Sequence, residues 1–104
     1  MKRYGQIVKV RSDKKEEYIN YHKNVWPEVL KTISECNIRN YSIFIRDDLL
    51  FSYFEYIGTD FKADMKKMAA CPHTQKWWSV VRPMLEPVVS CDWYVDMEEI
   101  FHID

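Results

Sequence analysis

The sequence predicts an α+β domain, a four-stranded sheet carrying helices on one face, and three observations predict it. First, apolar residues alternate with period two in "YGQIVKV" (residues 4–10) and again through "NYSIFIRDDLLFSYFEYIG" (residues 40–58), the spacing of strands. Second, helical periodicity runs through the two stretches between and after them. Third, the order is strand, helix, strand, strand, helix, strand, which is the ferredoxin-like βαββαβ, or split βαβ, pattern. A chain of 104 residues suits one core, so residues 1–104 are expected to form a single domain. No internal repeat beyond the βαβ echo and no linker is visible.

Each element has a local reason. The first strand places Tyr4, Gln6, Val8 and Val10 on one side. In "SDKKEEY", Asp13 followed by Glu16 reads as a weakened capping box that opens a helix. Tyr18, Tyr21, His22, Val25 and Trp26 then share one helical face. Pro27 has no N–H to donate, so the helix kinks or restarts there. The segment "PEVLKTISEC" turns Val29, Leu30 and Ile33 inward and ends near Asn37, a suitable left-handed cap. A hairpin follows with Asp47-Asp48 at its bend. Phe61, Met65, Met68 and Ala69 restore the helical period, with the methionines read as core filler. Pro72 interrupts that helix, "TQKWWSVVRPML" resumes it, and a terminal strand is expected near "YVDMEEIFHI".

Both faces of the hairpin are apolar. Tyr41, Ile43 and Ile45 lie on one side of its first strand and Ser42, Phe44 and Arg46 on the other. The second strand offers Phe51, Tyr53 and Ile57 on one side and Leu50, Phe54 and Tyr56 on the other. Two helices cover only one face of such a sheet, so a second subunit packed sheet to sheet is expected to cover the other. Two-fold symmetry is the usual solution, and the expectation is a homodimer.

Composition narrows the function. Fifteen basic and sixteen acidic residues nearly cancel, and Lys14-Lys15 and Lys66-Lys67 have acidic neighbours, which argues against nucleic-acid binding. The amino terminus lacks a signal-peptide run, and no segment approaches the ~20 apolar residues of a membrane span. Cys36, Cys71 and Cys91 are widely spaced, without a C-x-x-C pair, so free buried thiols in a reducing cytosol are expected. No Gly-rich phosphate loop or nucleophile elbow occurs. His22, His73 and His102 sit in different elements without metal-ligand spacing, so no metal is expected.

What remains is one imidazole among aromatics. His22 titrates near neutrality if unperturbed, and Tyr18 lies one helical turn before it, close enough to share a small ligand. The plainer reading has both half-buried and satisfied by backbone carbonyls. In Trp77-Trp78, consecutive side chains point ~100° apart on a helix, so one packs inward while the other edges towards a cleft or a partner. Indoles suit the C–H faces of sugars and add an N–H donor, though both can equally be packing residues. This equipment fits proton transfer on a neutral small molecule.

The stretches "EEYINYHKNVWPEV", "NYSIF" with "LLFSYFE", "QKWWSVV" and "MEEIFHID" together resemble the L-rhamnose mutarotase family over essentially the full chain. The Tyr-x-x-x-His with a downstream Trp-Pro-Glu, and a Trp-Trp at this distance, carry the resemblance. It implies a dimeric α+β barrel of ferredoxin-like protomers, no metal and no organic cofactor. It also implies an isomerase that interconverts the α and β pyranose anomers of L-rhamnose. By resemblance His22 is the proton donor, and Tyr18, Tyr41, Trp77 and Trp78 contact the sugar. L-Fucose, also a 6-deoxy-L-hexose, is the alternative substrate. A non-catalytic sugar-binding dimer and a cofactor-independent monooxygenase are the alternatives from other classes, since fold alone does not decide function.

Overall fold

The structure is a computed structural model that describes residues 1–88 and 94–104. Strand β1 (Lys2–Val10) lies at the centre of an antiparallel sheet in the order β2-β3-β1-β4. Strands β2 (Ile38–Arg46) and β3 (Leu49–Tyr56) form the expected hairpin, with Asp47 in the left-handed region at its bend (φ 54°). Tyr4 faces Phe54 and Val8 faces Leu50 across the β1–β3 ladder. The other edge of β1 is shared: β4 (Leu85–Glu86) pairs at Lys9 and Val10, and β5 (Val95–Met97) at Gly5 to Ile7. The long terminal strand expected from "YVDMEEIFHI" is therefore confined to three residues. Ile100, Phe101 and Ile103 beyond it stand exposed.

Helices α1 (Lys15–Lys23) and α2 (Pro27–Glu35) connect β1 to β2; α3 (Phe61–Ala70) and α4 (Pro72–Val81) connect β3 to β4. The chain restarts its helix at Pro27 as expected. Trp26 is extended (ψ 135°), the conformation that a following proline enforces, and Pro27 occupies the first helical turn, where a missing N–H costs nothing. The expected capping box is absent. Residues Ser12–Lys14 form a short 3-10 turn, and Asp13 accepts from Arg11 at 3.2 Å. At the far end of α2, Asn37 takes φ 65° as expected. Its amide donates to Asp64 at 3.0 Å, and Tyr56 donates to the same carboxylate, which ties the end of α2 to the β3–α3 connection. Gly58 fits that knot because a Cβ there would run into the Tyr56 ring and the Asp64 carboxylate.

One apolar cluster joins Val8, Val10 and Leu50 of the sheet to Tyr18, Val29, Trp77 and Val81 of the helices. Each of these buried aliphatic side chains contributes about 1.5–3 kcal/mol through surface removed from water. A second cluster sets Ile38, Phe54 and Tyr56 against Phe61, Met65 and Met68, so the methionines do fill core space. Ala69 does not, being exposed. Leu30, expected inward, is 52% exposed, since α2 turns Val29 and Thr32 to the interior instead. Cys36 is buried, Cys71 only half-buried, and Cys91 lies outside the described residues.

Strand β2 carries one extra residue. Ile38 and Arg39 oppose Tyr56 and Glu55, but Ser42 opposes Tyr53, so Asn40 and Tyr41 share the place opposite Phe54. Asn40 absorbs this bulge at φ 50°. Tyr41 then turns towards the helix side, 5.7 Å from the Phe54 ring. On the opposite face Ile7, Phe44, Phe51, Tyr53, Val95 and Met97 form an uncovered stripe, with Phe44 64% exposed.

Candidate active site

The site grows out of the last two turns of α1. Tyr18 and His22, four residues apart, stack with ring centres 4.2 Å apart, the neighbour relation that helical spacing dictates. His22 Nδ1 lies 2.8 Å from the Tyr18 carbonyl oxygen. A carbonyl can only accept, so Nδ1 carries the proton and neutral imidazole keeps its Nε2 lone pair free. The plainer sequence reading is thus half right. A backbone carbonyl satisfies one ring nitrogen, and among the described residues the other has no hydrogen-bond partner.

Trp77 of α4 meets the His22 ring edge-on at 5.3 Å, and Trp26 meets Trp77 the same way at 5.1 Å. The His22 and Trp77 rings border a cavity of about 320 Å³ whose polar wall is His22 and Tyr41 and whose apolar wall includes Val25, Val29, Ile33, Ile43 and Trp77. That size and mostly apolar lining suit a small ligand. A second hollow of about 250 Å³ lies on the other side of the imidazole, against Tyr18, Lys23 and Ile45.

Burial sets the protonation states. It lowers the pKa of His22 below its ordinary 6.5, partly offset by the Tyr18 carbonyl. Burial likewise pushes Tyr18 far up, helped by the nearby Tyr94 and Tyr41 and by a hydrogen bond with Tyr94. Tyr41 is 43% exposed as a whole residue. Burial at its hydroxyl end nonetheless raises its pKa, with Tyr94 adding to the effect. Tyr94 is also raised by burial, against the opposing influence of Tyr18 and Arg82. At neutral pH the site holds a neutral imidazole and three protonated phenols, in surroundings that disfavour charge.

Of the sequence-predicted residues, the fold brings together His22, Tyr18, Tyr41 and Trp77. Trp78 goes elsewhere. It lies under the Arg82 guanidinium, 4.2 Å from ring centre to Cζ, and borders a separate groove with Gln75 and Ser79. The two tryptophans therefore part as their angular separation requires, Trp77 inward and Trp78 outward. His73 lies in the first turn of α4, and His102 pairs with Asp104 at 2.8 Å. Among the described residues, no three His, Cys, Asp or Glu side chains are close enough to hold a metal ion. Among them, too, no helix is long and apolar enough to cross a membrane.

Tyr94 is the residue that sequence reasoning missed. It follows "SCDW", which shows no period. A signal existed in strand parity, because Asp96 opposite Gln6 shares its side of the sheet.

Comparison with known proteins identifies the family and the fold. A family model described as L-rhamnose mutarotase matches residues 3–103. The L-rhamnose mutarotase of Oceanobacillus iheyensis is 34% identical, with all of both chains covered. That of Bacillus subtilis is 31% identical over the same complete span. Among solved structures, the L-rhamnose mutarotase of Formosa agariphila superposes with a TM-score of 0.79 at 22% identity, covering all of both chains. The tetracenomycin F2 cyclase of Streptomyces glaucescens superposes at 0.71 with 16% identity, over 100% of this chain and 98% of that one. These two likenesses describe the fold, which is that of the ferredoxin-like α+β proteins. With the family model spanning nearly every residue and complete-length relatives above 30% identity, the chain belongs to the L-rhamnose mutarotase family, a family of isomerases.

Proposed function

We propose that this protein interconverts the α and β anomers of L-rhamnose, with His22 moving the proton. One observation carries the reading: a neutral imidazole, held by the carbonyl of Tyr18, keeps Nε2 free at an apolar, aromatic-walled cavity. Anomer exchange requires the hydroxyl on C1 to lose a proton and the ring oxygen on the same carbon to gain one. Neutral His22 takes the first proton at Nε2. The imidazolium so formed, disfavoured by burial, is a ready donor to the ring oxygen. The C1–O5 bond then breaks, rotation about C1–C2 exposes the other carbonyl face, and reclosure returns the proton by the reverse path. A group that titrates near the working pH is effective in both directions, and such catalysis is worth roughly 10²- to 10⁴-fold.

Tyr18 and Tyr41 serve as hydroxyl partners for the sugar. Val29, Ile33 and Ile43 suit its C6 methyl, and Trp77 its C–H face. Trp78 is retained as a weaker sugar contact, since its ring is held by Arg82 in the adjoining groove. The working form is proposed to be a two-fold dimer built on the uncovered stripe around Phe44, in the cytoplasm.

The test is NMR saturation transfer between the anomeric protons of L-rhamnose, with L-fucose in parallel. Enzyme-dependent transfer with L-rhamnose is expected, and His22→Ala should lose most of it while staying folded. Transfer with L-fucose alone would keep the chemistry and change the substrate. Sugar binding without transfer would leave a binding protein.

A further inference from the structure

Away from the cavity, α2 meets α4 at a half-buried thiol. Cys71 sits immediately before α4, a helix of ten residues, at the position where a capping side chain faces the first free N–H groups. Its Sγ lies 3.2 Å from Thr32 Oγ1. Thr32 has one hydroxyl proton and gives it to the Glu28 carbonyl at 2.9 Å. In the thiol form, therefore, Cys71 S–H is the donor to Thr32. Three residues on, where a side chain reaches back over the helix start, stands Thr74. It is 2% exposed, and among the described residues its Oγ1 has no hydrogen-bond partner. A buried hydroxyl without a partner costs about 1–3 kcal/mol, and a neutral thiol, with its single proton spent on Thr32, offers it little. An anionic sulfur would use it at once.

We propose that Cys71 is an oxidisable thiol site, in which the Thr74 hydroxyl and the start of α4 hold the sulfur as the anion that peroxides attack. On ionisation the Thr32 hydroxyl can swing from Glu28 to the sulfur, Thr74 donates from the helix side, and the N–H groups of His73 and Thr74 complete the shell. The same groups hold the Cys71 pKa down to about 7, Thr32 foremost, then the Thr74 N–H, the Thr74 hydroxyl and the His73 N–H, with desolvation opposing them. Charged neighbours act on the other thiol instead: Cys36, one turn beyond Thr32, is raised by burial and lies in the field of Lys67, Asp64 and Glu35. In the reaction the thiolate attacks one oxygen of hydrogen peroxide. An S–O bond forms, the O–O bond breaks, and the departing hydroxide takes a proton from solvent. Sulfur loses two electrons as peroxide is reduced, leaving a sulfenic acid.

At pH 7 about half of such a thiol is ionised, against about three per cent of an ordinary one with a pKa of ~8.5. Lower nucleophilicity takes back much of that gain, so the net rate advantage is roughly three- to fourfold. The pH midpoint therefore discriminates better than the rate. The full chain would be treated with hydrogen peroxide and a sulfenic-acid trap between about pH 5 and about pH 9, a range that brackets the ordinary thiol value. Peptide mapping by mass spectrometry would score each cysteine separately. Labelling of Cys71 ahead of Cys36, with a midpoint near 7, is expected. Thr74→Val should move the midpoint up and Thr74→Ser should keep it, both with unchanged circular dichroism. A Cys71 midpoint at the ordinary value of ~8.5, an unmoved midpoint in Thr74→Val, or labelling of Cys36 first would each overturn the proposal.

Discussion

In the proposed mechanism His22 exchanges protons through one nitrogen only, because Nδ1 is committed to the Tyr18 carbonyl. This gives the pH dependence a sign. Burial holds the protonated ring below its ordinary 6.5, so the reactive neutral form prevails at pH 7 and is lost as pH falls through the lowered value. Exchange measured by saturation transfer should therefore be level around neutrality, with its acid half-point below 6.5. An acid limb centred above that value, or activity that climbs on acidification, would contradict the role of neutral Nε2. The tryptophans should separate in the same assay. Trp77 is 6% exposed and touches His22, so Trp77→Ala should weaken sugar binding and cost about 3–5 kcal/mol of stability. Trp78→Ala should cost less of both, since the ring lies outside the His22 cavity beneath Arg82. A Trp78 variant as damaged as the Trp77 variant would place the two in one site. That Tyr18 and His22 belong together was legible, because helical spacing alone makes them neighbours. That Trp78 and Tyr94 exchange prominence was not, since it depends on which helix face meets the sheet.

Where elements begin and end, local chemistry spoke most clearly. Pro27 restarts a helix because it lacks a donor, and Asn37 ends one because it tolerates φ 65°. Asn37→Ala should lose both that tolerance, roughly 1–2 kcal/mol, and the bond to Asp64, roughly 0.5–1.5 kcal/mol. Asn37→Gly should lose only the second. Denaturant melts that ranked the two variants equal would assign the whole effect to the hydrogen bond. Expectations failed where a competing partner was nearer or a pairing strand ran out. Asp13 found Arg11 rather than a helix N–H. The terminal strand stopped at Met97, where its pairing with β1 reaches Gly5. Alternation in "YVDMEEIFHI" is a local property; the ladder it needs is not.

At the scale of the molecule, the sheet order was legible because the two βαβ halves leave little topological choice, and the apolar hairpin faces foretold one covered and one open side. What covers the open side is the proposed second subunit. Phe44→Glu would set a carboxylate at the most exposed point of that stripe, where Phe44 is 64% exposed. Sedimentation should then show a dimer giving way to monomer, while an unchanged sedimentation coefficient would refute the sheet-to-sheet packing. The bulge in β2 has a different sort of consequence. Ile38 and Ile43 both face the helices although an odd number of steps separates them, and only the extra residue at Asn40–Tyr41 permits it. Loss of the Asn40 codon alone would leave four steps between them, and a regular strand would then keep Ile38, Tyr41, Ile43 and Ile45 on one side, because side chains alternate strictly along a strand. Loss of two codons would leave three steps, and without a bulge one of the two isoleucines would turn to the open side. The gene can therefore shed one codon from this strand more safely than two, and the tyrosine at the cavity is held there by parity as much as by chemistry.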